Sequence, residues 1–182
     1  MPPHQKIILV DQDNVIADQF GKFHEILRKE HPEIYSTYTG KSSSFQFEQD
    51  FAPEHAEAIF EVRRKVGFFR SLPLIPGARE ALETIERSGH IVRIVTAPIR
   101  TPHSASEKLE WIAEYLGVEW CAKTIITRDK TLIRGDLLID DNPNVTGSLR
   151  PLWEHILYDQ PYNQYGAHRR LNWQNYKEIL EI

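Results

Sequence analysis

Two aspartates one residue apart, Asp11 and Asp13, follow directly on the apolar run Ile7-Ile8-Leu9-Val10 in KIILVDQDNV. Short runs rich in β-branched residues mark strands that are buried on both faces of a parallel sheet. In extended backbone, residues i and i+2 point to the same side, so both carboxylates can converge on one point. Acids that close repel each other, and a bound cation or a shared proton then becomes favourable. Alone, the pair also has a plainer explanation, because aspartate opens turns and caps helices.

Three later apolar runs end in comparable residues. HIVRIV leads into Thr96-Ala97-Pro98, AKTII leads into TRDK with Lys130, and DLLID closes on Asp140-Asp141. Ligands of open α/β sheets bind beyond the carboxyl ends of the strands, so these groups are expected along one edge. Taken singly, Thr96 could cap a helix, Lys130 could be a solvated charge, and Asp140-Asp141-Asn142-Pro143 could be a turn. Together, the carboxylates of Asp11, Asp13, Asp140 and Asp141 are costly on one edge without a metal ion and a cation to offset their repulsion.

The elements that must position these groups alternate along the chain. Phe20, Phe23, Ile26 and Leu27 recur at helical spacing until His31-Pro32. IYSTYTGKSSSFQFEQDF reads as a long functional loop, and Pro53 opens a second helical pattern through Ile59, Phe60 and Val66. From PGARE a helix runs to Ser88-Gly89, HIVRIVTAP follows as a strand, and Ser104-x-x-Glu107 has the form of a capping box for a helix closed by Gly117. AKTIIT, DLLID and HILYD read as further strands, and LNWQNYKEIL as a closing amphipathic helix. Residues 18 to 74 hold no convincing buried strand. The pattern predicts an α/β parallel sheet with a largely helical insertion after strand one.

Bulk properties narrow the classes. With 182 residues, 41% of them hydrophobic, the chain is long enough for one sizeable core. A net charge of −4 gives no general electrostatic case for a nucleic acid polymer or an anionic membrane. Cys121 is the only cysteine, which rules out an internal disulfide framework and fits a reducing compartment. No apolar stretch approaches the roughly 20 residues of a membrane span, and MPPHQK with its short apolar run lacks the core of a signal peptide. A soluble, cytoplasmic protein is expected. The histidines have no HExxH spacing, there is no GxxxxGK[ST] loop, and Arg169-Arg170 reads as a solvated surface pair.

The ordered set DxD, T, K, DD resembles the haloacid dehalogenase-like phosphotransferases. Within that superfamily VDQDNVIAD, IVTAPI, TRDKT and DLLIDDNP are similar to the motifs of the 5'(3')-deoxyribonucleotidases, as are EKLEWIAEYLG, LWEH and RRLNWQNYKEIL. The resemblance implies a Rossmann-like catalytic core of residues 1–17 and 75–182, with a small helical cap of residues 18–74. It implies a magnesium-dependent phosphatase acting on nucleoside monophosphates through an aspartyl-phosphate. Asp11 is then expected as nucleophile and Asp13 as general acid and base. Asp11, the Asp13 carbonyl and Asp141 are the expected metal ligands, with Asp140 as ligand or in support. Thr96, Ala97 and Lys130 are expected to hold and neutralise the phosphate.

Phe45 and one of Phe68 and Phe69 stand where the family stacks the base. Three positions depart from its pattern: Asn14 replaces the usual glycine, Gln19 a frequent aromatic residue, and Asn142 a frequent arginine, the last two at substrate-binding positions. The expected partner is a small phosphomonoester, and a homodimer is compatible with the sequence. Alternatives are a phosphatase of another small phosphomonoester, or a phosphotransferase or mutase on the same core. A receiver domain would carry its acceptor aspartate later and lack the cap, and a non-catalytic member would have lost a catalytic position.

Overall fold

The computed structural model describes residues 5–42 and 44–182; the first four residues, which open the MPPHQK segment, and Ser43 lie outside the described residues. The six strands are β1 (Ile7–Val10), β2 (Ile91–Thr96), β3 (Thr124–Ile126), β4 (Leu137–Asp140), β5 (Glu154–Tyr158) and β6 (Arg169–Leu171). They form one sheet in the order β3-β2-β1-β4-β5-β6, and every neighbouring pair is parallel. All carboxyl ends therefore share one edge. β1 lies between β2 and β4, with Val10 opposite Ile94 on one side and Ile139 on the other.

Alternation along the strands explains their unbroken apolar character. Ile8 and Val10 join Ile94, Ile139 and Ile156 in the larger core, whereas Leu9 points the other way to join Val95, Leu138 and Trp153 in a smaller one. The helices are α1 (Gln19–Glu30), α2 (Pro32–Tyr35), α3 (Ala56–Arg64), α4 (Ala78–Arg87), α5 (Ser104–Tyr115), α6 (Val118–Cys121) and α7 (Tyr176–Leu180). Their buried apolar side chains all belong to the larger core, at about 1.5–3 kcal/mol for each large side chain removed from water. The smaller core is completed by Ile133, Val145 and Trp153 from the segments flanking β4.

The segment between β1 and α4 leaves and rejoins the core through a narrow neck. Asp18 N donates to the Pro73 carbonyl and Ile75 N to the Ile16 carbonyl, both at 2.8 Å, beside an antiparallel bridge between Ala17 and Leu74. Among the described residues this segment contains no strand, only α1 to α3 and short 3-10 turns. It shares the larger core with the sheet through Phe23, Leu27, Ile59 and Val62. Its last stretch packs on α5: Phe69 and Leu72 are fully buried, and the Trp111 indole donates to the Leu72 carbonyl at 2.7 Å.

Three local expectations change. Ser104 and Glu107 do not form a capping box: the Ser104 hydroxyl donates to the Ile99 carbonyl at 2.9 Å, and Glu107 accepts from Gly67 N and Phe69 N at 2.6 and 3.2 Å. Glu107 thus ties α5 to the returning end of the insertion. The closing helix is only Tyr176–Leu180, because Leu171 already ends the edge strand β6 and the Trp173 indole is drawn to the Val15 carbonyl at 2.7 Å. α3 stops at Arg64, and Val66 is 81% exposed, since Gly67 turns the chain at φ +89°.

Candidate active site

The loop after β1 is wound tightly. The Gln12 carbonyl accepts from Ile16 N and Ala17 N at 3.0 and 2.9 Å, and Asn14 sits in the left-handed region at φ +57°. This accounts for Asn14 at a position where glycine is usual, because asparagine tolerates that conformation better than other side chains do. Its side chain also adds contacts that glycine lacks. Asn14 Nδ2 donates to Asp141 Oδ2 at 3.1 Å, and its Oδ1 accepts from Phe20 N at 2.7 Å.

At the carboxyl edge of the sheet, the carboxylates of Asp11, Asp140 and Asp141 come within 4.8 Å of one another. Lys130, on a single 3-10 turn after β3, bridges Asp11 at 2.7 Å and Asp140 at 2.6 Å. Asp140 also accepts from Asn142 N at 2.9 Å, while Asp141 accepts from Tyr162 Oη at 2.5 Å. Asp13 pairs with Lys108 of α5 at 2.6 Å and accepts from Gln19 Nε2 at 3.0 Å, both at its Oδ2; its Oδ1 is buried with no partner among the described residues. Lys108 itself is fully buried, donates to Thr96 Oγ1 at 3.0 Å, and lies 4.6 Å from the centre of the Phe69 ring.

Four aspartates face two lysines here, an excess of two formal negative charges (4 − 2) in a buried setting. Burial pushes Asp141 well above the usual carboxylate range, and the charges of Asp140 and Asp11 push the same way. Burial also raises Asp11 and Asp13, against the pull of Lys130 and Lys108 respectively. For Lys130, burial works against the ammonium form, but the charges of Asp11 and Asp140 outweigh it and hold the group above its ordinary value. A site of this kind attracts positive charge, and its all-oxygen donors suit a hard divalent cation.

A cavity of about 320 Å³ opens over this edge. Asp11, Asp13, Ala97, Lys130, Asp140 and Asp141 line its floor, and Gln19, Phe45, Arg63, Arg128 and Asn142 line its walls. Thr96 is not in the lining: it is fully buried beneath, with its hydroxyl engaged by Lys108. Phe68 and Phe69 depart from the expected base slot, being at most 2% exposed and absent from the cavity wall. They pack edge to face with centroids 5.1 Å apart, as core residues do. Phe45 alone of the three lines the cavity, in ring contact with Tyr162 at 6.4 Å.

One rim of the cavity is clasped to Lys130. The Asp129 carboxylate accepts from Thr131 N at 3.0 Å and Ser148 N at 2.7 Å, and Thr131 Oγ1 accepts from Leu149 N at 3.1 Å. The hydrogen bonds from Thr131 and Ser148 hold Asp129 at a pKa of about 2. Gly147 closes the clasp because a Cβ there would lie 1.9 Å from Asp129 Oδ1. Lys108, Tyr162 and this clasp were not singled out from sequence. Only Lys108 carried a signal, as a lysine placed three and four residues before Trp111 and Ile112 on the apolar stripe of α5.

Comparison with known proteins agrees with this layout. The family model described as "5' nucleotidase, deoxy (Pyrimidine), cytosolic type C protein" matches residues 5–182. A relative from Bordetella bronchiseptica is 44% identical over 179 residues, covering 96% of this chain and 95% of its own. The human 5'(3')-deoxyribonucleotidase, cytosolic type, is 34% identical over 186 residues, covering 96% of this chain and 92% of its own. A haloacid dehalogenase-like family hydrolase from Xanthomonas campestris superposes with a TM-score of 0.57 at 13% identity, over 97% of this chain and 95% of the other, which bears on the fold alone. The sheet order and the acid-lined edge thus meet a family match over nearly the whole chain, which belongs to the 5'(3')-deoxyribonucleotidase family of phosphoric monoester hydrolases.

Proposed function

We propose that the chain is a magnesium-dependent phosphatase of nucleoside monophosphates that works through an aspartyl-phosphate on Asp11. The observation that carries this reading is the convergence of Asp11, Asp140 and Asp141, bridged by Lys130, on the floor of a cavity that also contains Asp13. Asp11 and Asp141, with the Asp13 carbonyl and Asp140, would hold the ion, which when bound supplies charge neutralisation and orients the phosphate.

A phosphate monoester is anionic and slow to hydrolyse, so the catalyst must position a nucleophile, screen charge and protonate the leaving oxygen. The Asp11 carboxylate attacks phosphorus, a bond forms between its oxygen and phosphorus, and the ester P–O bond breaks. Asp13 gives its proton to the departing alkoxide oxygen. It then takes one from the water that attacks the phosphorus of the acyl phosphate, releasing phosphate and restoring Asp11. Lys108 and Gln19 both engage Oδ2 of Asp13, while its Oδ1 has no partner among the described residues. Lys130 offsets charge on nucleophile and phosphoryl group, and the Ala97 edge receives phosphate oxygens. Thr96 acts from below the cavity through Lys108.

Residues 18–74 form the cap in this reading, with Phe45 against the base. The names of the human relatives, "cytosolic type" and "mitochondrial", are in keeping with work on nucleotides inside cells, and we place this chain in the cytoplasm. A phosphate-release screen over deoxy- and ribonucleoside monophosphates, with sugar phosphates as controls, tests the whole reading. Nucleoside monophosphates should be the best substrates, activity should vanish with excess chelator and return with magnesium, and water should be the only acceptor. Full activity in chelator, or sugar phosphates turned over equally well, would overturn it.

A further inference from the structure

A second cleft, of about 290 Å³, lies beside the reactive cavity. Arg63, Ile99 and Arg128 line both, while Arg64, Arg100 and Thr101 belong only to the second. In a chain of net charge −4, four arginines around one cleft reverse the local charge. Arg63 is matched by Glu48 at 3.3 Å, and Arg64 by Glu57 and Glu61 at 3.0 and 2.9 Å. The Phe60 ring steadies both, 5.7 and 5.5 Å from their guanidinium carbons.

The other two are differently placed. Arg128 uses one N–H on the Pro98 carbonyl at 2.7 Å, which orients its guanidinium, and neither it nor Arg100 forms an ion pair with a carboxylate among the described residues. Thr101 Oγ1 is buried and likewise has no hydrogen-bond partner among the described residues. Unmatched arginine donors in one cleft suit a group with several strong acceptor oxygens, and the guanidinium fork fits phosphate in particular.

We propose that this cleft binds a second phosphate of the substrate, so that nucleoside bisphosphates are taken in preference to monophosphates. The proposal rests on the nucleotide phosphatase reading, which puts the ester phosphate on the carboxylate floor. Arg63, Ile99 and Arg128 border both cavities, which sets the two side by side.

The test compares a nucleoside 3',5'-bisphosphate with the matching 5'-monophosphate, for the wild type, Arg100→Ala and Arg100→Glu, with magnesium present. Turnover of p-nitrophenyl phosphate reports that each variant is folded. The wild type should show a KM about tenfold lower for the bisphosphate, from one or two charge-assisted contacts, and the advantage should shrink as salt is raised. Arg100→Ala should remove most of the difference and Arg100→Glu should invert it. Equal KM values in the wild type, or an advantage that survives both substitutions, overturns the proposal and leaves the phosphatase reading intact. Equal KM values joined to inhibition by inorganic phosphate that depends on Arg100 would assign the cleft to free phosphate instead. If neither nucleotide is hydrolysed, the functional reading fails and the substrate subsite fails with it.

Discussion

At the ends of β1 and β4, Asp11, Asp140 and Asp141 are at most 8% exposed, and each carboxylate has a defined partner. On the facing wall, Phe45 comes from a loop, Gln19 from the first residue of α1, and Arg63 from the last turn of α3. One side is fixed by strand register, where a shift of one residue would turn every side chain away. The other is built from short helices and turns whose side chains can change without disturbing the sheet. Under the proposed function, the contrast puts the chemistry on strand ends and selectivity on the facing loop and helix residues.

The largest effects should come from the rigid side. Asp11→Asn should lower phosphate release by about 10⁴-fold or more on every substrate and leave no trapped phosphoryl-enzyme. Asp13→Asn should cost about 10²- to 10⁴-fold on a nucleotide but far less on p-nitrophenyl phosphate, whose leaving group needs little protonation. Equal dependence on the leaving group in the two variants would sink the division of roles between them.

Next comes the junction between the two sides. Lys108→Met leaves the Asp13 carboxylate, 18% exposed, without its charge partner and should reduce stability by about 1–3 kcal/mol in urea unfolding, the cost of leaving a largely desolvated polar group unpaired. A loss under about 1 kcal/mol would mean that Asp13 relaxes into solvent and that the junction is loose.

The smallest effect belongs to the inserted segment alone. His24 of α1 is packed among the rings of Phe20, Phe23, Tyr35, Tyr38 and Phe51, and neither ring nitrogen has a partner among the described residues. Burial lowers its pKa from 6.5 to about 4, with Asp50 opposing and Arg28 assisting. A depressed histidine favours the folded state fully above its unfolded value, and that contribution is lost as pH falls toward the folded value. The melting temperature should therefore decline between pH 6.5 and 4, and less steeply in His24→Phe. An unchanged slope in the variant would show that the insertion does not hold His24 neutral.

How much of this was legible in the sequence follows the same division. Asp11, Asp13, Lys130 and the Asp140-Asp141 pair could be assigned to one edge because strand ends in a parallel sheet must coincide. Whether a given ring faces a cavity or a core is not written in its spacing, so the sequence left one of Phe68 and Phe69 as a candidate for the base slot, whereas both rings are buried among packing residues. Thr96 was placed at the correct strand end, but its hydroxyl is turned to a buried lysine that spacing alone did not single out. β6 went unread because three residues beginning Arg169-Arg170 carry almost no strand signal, and their pairing with β5 is a tertiary fact.

The clasp at Asp129 also fixes the shape of one rim of the cavity. The Asp129 carboxylate ties the turn of Lys130 to Ser148, just past the rim of Asn144, Val145 and Thr146, and leaves no room for a side chain at Gly147. The opposite bank meets the sheet covalently at the paired neck of Ile16–Asp18 and Pro73–Ile75, and it is also packed into the larger core and held to α5 by Glu107. A side chain added at Gly147 is therefore expected to displace the turn that carries Lys130, although residue 147 lies outside the cavity lining.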